Sequence, residues 1–270
     1  MKKNEIIEEL KKMGFEAAWH TVNKNGVLHT GIVIRSQGQV APIIYTKGLL
    51  NEGDSVDLAV NKILKEYLKV KDVSFDLERM TSREYILEHI TVAVQREGTE
   101  PIIKRESGLT GIESYLLIID SSTDEGNLSM KVNADLLKKS HISEKEAWEQ
   151  AEKNLHESVR VESMKEVMEK AMGKEFVEAS GVDDRIYVIS TESGIKGASA
   201  VLDKKIMNEF AKAHKTSQIA VLPSSIHEML LIPDTEGFCE EELSFMVESV
   251  NEAEVIPEER LTDRAYFLNF

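Results

Sequence analysis

The segment Ile219–Pro233 holds, within a few positions, the residue types that a hydrolase needs. Ser224, Ser225, His227 and Glu228 lie there between two apolar runs. A serine becomes a nucleophile when an imidazole accepts its proton and a carboxylate orients that imidazole. One interpretation is therefore a hydrolase or transferase that uses Ser225, His227 and Glu228 together with partners from elsewhere in the chain.

The spacing of these residues favours a structural role over catalysis. Residues two apart on a strand share a face without converging, and triad partners normally come from distant segments. The chain also lacks a Gly-x-Ser-x-Gly elbow, which would expose the hydroxyl on a strained turn. We expect Pro223 to end one strand, the serines to bond local backbone in a turn, and His227 with Glu228 to begin the next strand.

Two short histidine motifs fall short of a zinc site. The pairs His227-Glu228 and His156-Glu157 both begin an H-E-x-x-H pattern, but Leu231 and Arg160 stand where the second histidine is required. Two ligands one helical turn apart make that site, so neither pair is expected to bind zinc.

His20 and His29 are weak candidates for a metal site. If Asn25-Gly26 forms a two-residue turn, Val22 faces His29 and His20 faces Gly31. Both imidazoles then lie diagonally on one face of the hairpin. No third ligand stands nearby in the sequence, and metal sites usually need three or four. Surface or interface histidines are the favoured alternative.

Cofactor motifs are absent from the sequence. The segment 194–199, Gly-Ile-Lys-Gly-Ala-Ser, lacks the spacing of a phosphate-binding loop, and no G-x-G-x-x-G occurs. A hairpin turn explains its glycines. The single cysteine, Cys239, excludes an internal disulfide and a C-x-x-C zinc site, and the acidic residues that follow it make it a poor nucleophile. We expect no cofactor.

Charge and hydropathy exclude several classes of function. The net charge of −15, from 48 acidic and 33 basic residues, repels phosphate backbones, and no basic stripe offsets it. Nucleic-acid binding is therefore not expected. Solubility is the favoured explanation of the charge, and mimicry of nucleic acid or contact with a basic partner is the alternative. The first residues alternate charge with apolar positions and form neither a signal peptide nor a membrane anchor. The expected location is the cytoplasm, without membrane association.

The element pattern predicts three small modules. The first, 1–80, begins with a helix over 3–13 that ends at Gly14, continues with a hairpin turning at Asn25-Gly26 and a strand over 40–45, and closes with a helix capped by Asp54. The second, 81–180, is mixed. It is expected to hold a helix turning into a strand over 85–94, a hairpin of 114–120 with 128–132, and two helices opened by capping boxes, Ser143 with Glu146 and Ser163 with Glu166.

The third module, 181–270, has the most regular pattern. Strands are predicted over 186–190, 196–202, 219–222 and 227–232, with one helix capped by Asp203, another holding Leu243 and Val247, and a last strand over 265–270. Hairpins separated by helices favour antiparallel sheets over a doubly wound parallel sheet. The predicted fold class is α+β: small modules of mainly antiparallel sheet with helices packed on them.

Four segments resemble, in order and spacing, an uncharacterised family of clostridial-type Gram-positive gut bacteria: MKVNADLLKKSHISEKEAWEQAEKNL, DDRIYVISTESGIKGASAVLD, IAVLPSSIHEMLLIPD and VNEAEVIPEERLTDRAYF. The Leu-Pro-Ser-Ser-Ile-His-Glu stretch and residues 251–263 are the most specific parts. A more distant likeness, to a bacillar family of unknown function, rests on the helix end with Ala151, Asn154 and Leu155. The resemblances imply a bacterial protein of unknown function and transfer no catalytic role.

These observations favour a non-enzymatic cytoplasmic protein that binds a protein partner or a small molecule. The alternative is the hydrolase or transferase of the Ser225, His227 and Glu228 region.

Overall fold

Every strand pair that the structure describes is antiparallel. The structure is a computed structural model, and it describes residues 3–35, 41–71, 76–120, 128–175, 177 and 185–270. The chain divides into two compact units, Met1–Met80 and Thr81–Phe270. Helices pack on the sheets of both units, which confirms the predicted α+β fold class.

The first unit contains a three-stranded sheet in the order β1-β2-β3. Its elements are α1 (Lys3–Lys12), β1 (Glu16–Lys24), β2 (Val27–Arg35), β3 (Ile43–Tyr45), α2 (Val56–Val70) and α3 (Leu77–Met80). Asn25 and Gly26 both have positive φ, 50° and 83°, as a two-residue hairpin turn of the predicted kind requires. The core holds apolar residues of both helix and sheet, including Ile6, Leu10, Ile32, Ile34 and Ile63. Residue 40, the first of the predicted third strand, lies outside the described residues.

The cap of α2 differs from the prediction. Ser55, and not Asp54, has the extended backbone of a cap residue and accepts a hydrogen bond from the N–H of Leu58. The Asp54 carboxylate instead accepts from the N–H of Asn51 and from Lys62 Nζ at 2.8 Å. Asp54 and Ser55 are adjacent, and the side-chain oxygen of either could accept from a free N–H of the first helical turn. The conformation of the preceding turn therefore determines which of the two caps the helix.

The second unit begins with a sheet built around its longest strand, β6. Its elements are α4 (Arg83–His89), β4 (Ile90–Arg96), β5 (Lys104–Glu106), β6 (Ile112–Asp120), β7 (Leu128–Lys131), α5 (Ala134–Lys139) and α6 (Glu144–Ser158). Strand β4 pairs with one edge of β6, while β5 and β7 pair in succession along the other edge. The predicted helix-to-strand change near residue 90 and the β6-β7 hairpin are both confirmed.

A five-stranded sheet in the order β12-β10-β11-β9-β8 completes the second unit. Its elements are β8 (Val159–Ser163), α7 (Met164–Met172), β9 (Tyr187–Thr191), a 3-10 helix (Gly197–Leu202), α8 (Lys204–His214), β10 (Gln218–Pro223), β11 (Met229–Ile232), α9 (Glu240–Glu254) and β12 (Tyr266–Asn269). One core joins the two sheets of this unit, since Val94 and Ile112 of the first belong to the same apolar cluster as Ile189, Val221 and Leu231 of the second. Strand β8 pairs with β9 across the predicted boundary at residue 180. The division into modules 81–180 and 181–270 stays a prediction.

The predicted strand 196–202 is wrong, because this segment is a buried 3-10 helix. Lys196 has φ 55°, a left-handed conformation that cannot continue an extended strand. The following Gly197 passes so close to its neighbours that a Cβ there would lie 2.6 Å from the backbone nitrogen of Thr191 and 2.9 Å from the carbonyl oxygen of His227. The small side chains of this segment allow the chain to turn inside the core.

The two predicted capping boxes have different outcomes. Ser163 and Glu166 form a complete box, each side chain accepting from the backbone N–H of the other. Ser143 caps α6 by accepting from the N–H of Glu146, but the Glu146 carboxylate binds Arg83. A guanidinium offers two parallel N–H donors to a carboxylate, and this pair of charge-assisted bonds is stronger than the single bond from a backbone N–H.

Among the described residues, no helix combines the length and apolar character that crossing a membrane requires.

Replacement of Gly197 by alanine should destabilise the second unit by about 1–3 kcal/mol, because the added methyl group clashes with backbone that cannot rotate away. Urea unfolding, followed by the fluorescence of Trp148 in a Trp19→Phe background, measures this unit. The matched control is Gly98→Ala, where the nearest atom lies 3.9 Å from the new Cβ. Equal midpoints for the two variants would contradict the close approach.

His214 should make the second unit less stable at mildly acidic pH. Its ring packs on Tyr187 and Phe210, and this burial lowers its pKa below the usual 6.5. The unfolded chain then binds the proton more readily, so stability is fully present above pH 6.5 and is lost as pH falls from there toward the folded pKa. We expect His214→Phe, which keeps a ring, to show a smaller fall in urea midpoint between pH 8 and pH 5.5. Parallel profiles for the two proteins would argue against this, since the other histidines are common to both.

Candidate functional site

An open cavity of about 950 Å³ lies in the second unit. Its wall is built by α6, by residues 105–109 at the end of β5 and beyond it, by the junction of the 3-10 helix with α8, and by the end of β12. Cavities of roughly 300–1,000 Å³ are typical of small-molecule sites. This cavity therefore has room for a ligand of several heavy atoms, and the side chains that line it determine what it accepts.

One face of α6 supplies a wall of the cavity. Trp148, Glu152 and His156 are spaced by four residues and so lie above one another on the helix. Trp148 is 2% exposed and packs into the interior, whereas His156 is about one-third exposed. The helix is fixed at its far end by Asn154, whose side-chain amide donates to the carbonyl oxygens of Leu87 and Ile90 at 3.0 and 2.7 Å.

His156 is held by a carboxylate. Its Nδ1 lies 2.6 Å from Oδ2 of Asp203, whose other oxygen caps α8 by accepting from the N–H groups of Lys205 and Ile206. The Lys205 Nζ lies 3.4 Å from His156 Nε2. In the neutral tautomer that donates from Nδ1 to Asp203, Nε2 is an acceptor directed at this ammonium group. The Asp203 carboxylate is thus committed to the helix cap and to His156.

A second basic group stacks on the tryptophan. The Arg105 guanidinium carbon lies 4.0 Å from the centre of the Trp148 ring, within the range of a cation–π contact, and its Nη1 lies 3.5 Å from a Glu152 oxygen. The Trp148 Nε1 is buried and has no hydrogen-bond partner within the described residues. Buried donors in folded proteins are normally bonded, so this N–H is an unused donor in the cavity wall.

Lys204 and Lys205 are the first two residues of α8, where the helix dipole disfavours positive charge. Each of the other eight α-helices bounded within the described residues has an acidic residue in its first turn. Neither lysine forms an ion pair with a carboxylate in the part of the chain that the structure describes. An anion in the cavity would meet both ammonium groups at the positive end of a helix.

The structure places Ser225, His227 and Glu228 in the connection between β10 and β11, and within the described residues none of them lines the cavity. The Ser225 hydroxyl accepts from the backbone N–H of His227 at 3.0 Å, and the Ser224 hydroxyl donates to the Glu228 carboxylate at 3.4 Å. The His227 ring is directed elsewhere, with Nδ1 3.2 Å from the Gly194 carbonyl oxygen. The serines bond locally, as expected of a turn, but β11 begins at Met229 and not at His227.

The two most specific segments of the family resemblance contact each other. The N–H of Ile226 donates to the carbonyl oxygen of Glu259 at 2.8 Å, and His227 Nε2 lies 3.4 Å from a Glu259 carboxylate oxygen. Asn251, which is 2% exposed, donates to the Thr262 carbonyl and to the Asp263 carboxylate. These segments fasten the strand connection to the chain after α9.

The weak metal candidates lie in the first unit. The β1-β2 register pairs His20 with Gly31 and Val22 with His29, as predicted, and the His29 ring packs edge-on against Tyr45. The described residues contain no group of three or more histidine, cysteine, aspartate or glutamate side chains placed to hold a metal ion. Cys239 is exposed, and the neighbouring carboxylates of Glu241 and Glu242 help to raise the pKa of its thiol.

The sequence does not predict the cavity. The predicted helix cap at Asp203 is confirmed, but a cap by itself does not indicate a cavity. The spacing of Trp148, Glu152 and His156 by four was the available signal, since it placed an imidazole and a carboxylate on one helix face. Arg105 gave no signal, because only tertiary packing brings it over Trp148.

Comparisons with known proteins assign the chain to a family of unknown function. No curated protein and no solved structure matches the chain. A family described as a family of unknown function, DUF5688, matches residues 2–269. This match extends over nearly the whole sequence and includes the cavity residues, the β10-β11 connection and the segment after α9. The chain belongs to this family of unknown function, DUF5688.

Proposed function

We propose that the second unit binds a small anionic molecule in the 950 Å³ cavity and does not convert it chemically. The observation that carries this proposal is the convergence of Arg105, Lys204, Lys205 and His156 on one cavity of a chain whose net charge is −15. Basic groups brought together at one cavity of an acidic protein provide a local site for anions.

Three carboxylates also line the cavity, so its attraction for anions rests on the placement of the lysines and not on an excess of positive charge. Asp203 accepts from the cap of α8 and contacts His156, Glu152 pairs with Arg105, and Glu106 lies next to Arg105 on β5. Lys204 and Lys205 remain available as donors, and hydrogen bonds from ammonium groups to an anion are roughly twice as strong as neutral ones.

Binding without turnover is favoured over catalysis by the placement of the nucleophile candidates. The Ser225 hydroxyl is bonded to backbone, and His227 contacts Gly194 and Glu259. The hydrolase or transferase of the Ser225, His227 and Glu228 region stays a prediction, as does metal binding by His20 and His29. The resemblance and the acidic composition support a bacterial, cytoplasmic setting, in which small phosphorylated and carboxylated metabolites are abundant ligands.

The double variant Lys204→Ala/Lys205→Ala should weaken anion binding at least about tenfold, because each charge-assisted contact contributes about 1.5–3 kcal/mol. Inorganic phosphate, citrate and adenosine monophosphate are suitable probes, titrated calorimetrically and at two salt concentrations. Wild-type affinity should fall as salt rises, since screening weakens exposed charge interactions.

The matched control for this titration is Lys212→Ala, an exposed lysine in the last turn of the same helix. It should bind the probes as wild type does. If none of the three anions binds, or if the control weakens binding as much as the double variant, the proposal fails.

For the alternative, we expect no hydrolysis of p-nitrophenyl acetate or p-nitrophenyl phosphate above the rate of the His227→Ala variant. The Ser225 hydroxyl has no imidazole to accept its proton in the described contacts, and general base catalysis requires one within about 3.2 Å. A turnover that His227→Ala abolishes, with circular dichroism unchanged, would reverse this conclusion and restore the hydrolase interpretation.

A further inference from the structure

Helix α9 carries apolar residues outside its buried face. Leu243 and Val247 are buried in the core between the helix and its sheet. Phe245, Met246 and Val250 of the same helix are 69%, 52% and 51% exposed. A surface helix normally turns polar residues to solvent, so three exposed large apolar side chains on one helix are unusual.

The exposed apolar residues form one continuous stripe. Met246 and Val250 lie one helical turn apart in one row, and Phe245, Ser249 and Ala253 follow at four-residue spacing in the neighbouring row, so the two rows together cover one strip of the helix surface. Scattered exposed apolar side chains need no explanation, but a contiguous set on one helix marks a contact surface. We call Phe245, Met246, Ser249, Val250 and Ala253 the α9 stripe.

A row of glutamates borders the α9 stripe along one edge. Glu241, Glu248 and Glu252 follow at helical spacing beside Phe245, and all three are exposed. Within the described residues none of them forms an ion pair, although Glu240 of the same helix binds Arg264. The border therefore presents uncompensated negative charge beside an apolar surface.

We propose that the α9 stripe docks a helix of another protein whose apolar side is bordered by lysine or arginine. An amphipathic helix matches an exposed helix face through residues at three- and four-residue spacing, and basic residues at its edge would pair with the glutamate border. The charge selects this occupant. A second copy of the chain would bring its own glutamates to the interface, and an anionic lipid surface would be repelled by them.

This surface is separate from the ligand cavity, because none of the described residues of α9 lines that cavity. The two proposals can therefore fail independently. The docking partner also differs in charge from the cavity ligand, being basic where the ligand is acidic.

The probe is a fluorescein-labelled 18-residue amphipathic peptide of leucine and lysine, compared with a leucine and glutamate peptide of the same apolar pattern. Fluorescence anisotropy with the full chain should show binding of the lysine peptide only. The double variant Phe245→Ser/Met246→Ser should weaken binding at least about tenfold, as loss of buried anchor residues does at interfaces. The charge reversal Glu248→Lys/Glu252→Lys should weaken it as strongly.

A charge-matched control separates docking from general attraction between an acidic protein and a basic peptide. Glu144→Lys/Glu209→Lys makes the same change in net charge on exposed positions of α6 and α8. It should bind the lysine peptide within about twofold of wild type, since surface substitutions outside a contact are nearly neutral. Equal loss in all variants, or no binding by wild type, overturns the proposal. Sedimentation velocity that shows a dimer abolished by Phe245→Ser would overturn it too, in favour of a second copy.

Discussion

The close passage of Gly197 against β9 and the His227 backbone is the constraint on which the second unit depends. The 3-10 helix that follows is buried at every residue from Gly197 to Val201, so its polar backbone must find partners in the interior. The N–H of Ala198 donates to the carbonyl oxygen of Ile226, and the Ser199 hydroxyl donates to the carbonyl oxygen of Val92 at 2.6 Å. These bonds join the two sheets, and only small side chains leave room for them.

The cavity is a consequence of that same turn. The 3-10 helix ends at Asp203, whose carboxylate opens α8 and holds the His156 ring of α6. Lys204 and Lys205 follow directly, so their position at the cavity is set by where the buried turn releases the chain. Positive charge in the first turn of a helix opposes the helix dipole. Departures of this kind from local rules occur most often at functional sites.

Polar contacts, and not only apolar packing, hold the less regular segments of the second unit. Arg96 of β4 donates to the Leu261 carbonyl oxygen, and Asn251 of α9 holds residues 262 and 263. On the first sheet of this unit the Glu113 carboxylate accepts from Gln95 Nε2 and from Lys104 Nζ. Breaking such a contact leaves a buried polar group unbonded, which costs about 1–3 kcal/mol, so the segments it holds have one defined arrangement.

Features that depend on local chemistry can be predicted from the sequence. The Asn25-Gly26 hairpin, the complete Ser163 box, the Asp203 cap and the antiparallel α+β class all follow from turn preferences, capping side chains and the period of apolar residues. Tertiary structure decided the rest. The pattern of segment 196–202 predicts a strand, but the close contacts of Gly197 with neighbouring backbone occur in a 3-10 helix. The sequence likewise predicts a capping box at Glu146, whose carboxylate instead binds Arg83 from a distant segment. The cavity brings Arg105 to Trp148 and Asp203 to His156, residues more than forty positions apart, and such contacts leave no local pattern because they arise only when both sheets close over one core.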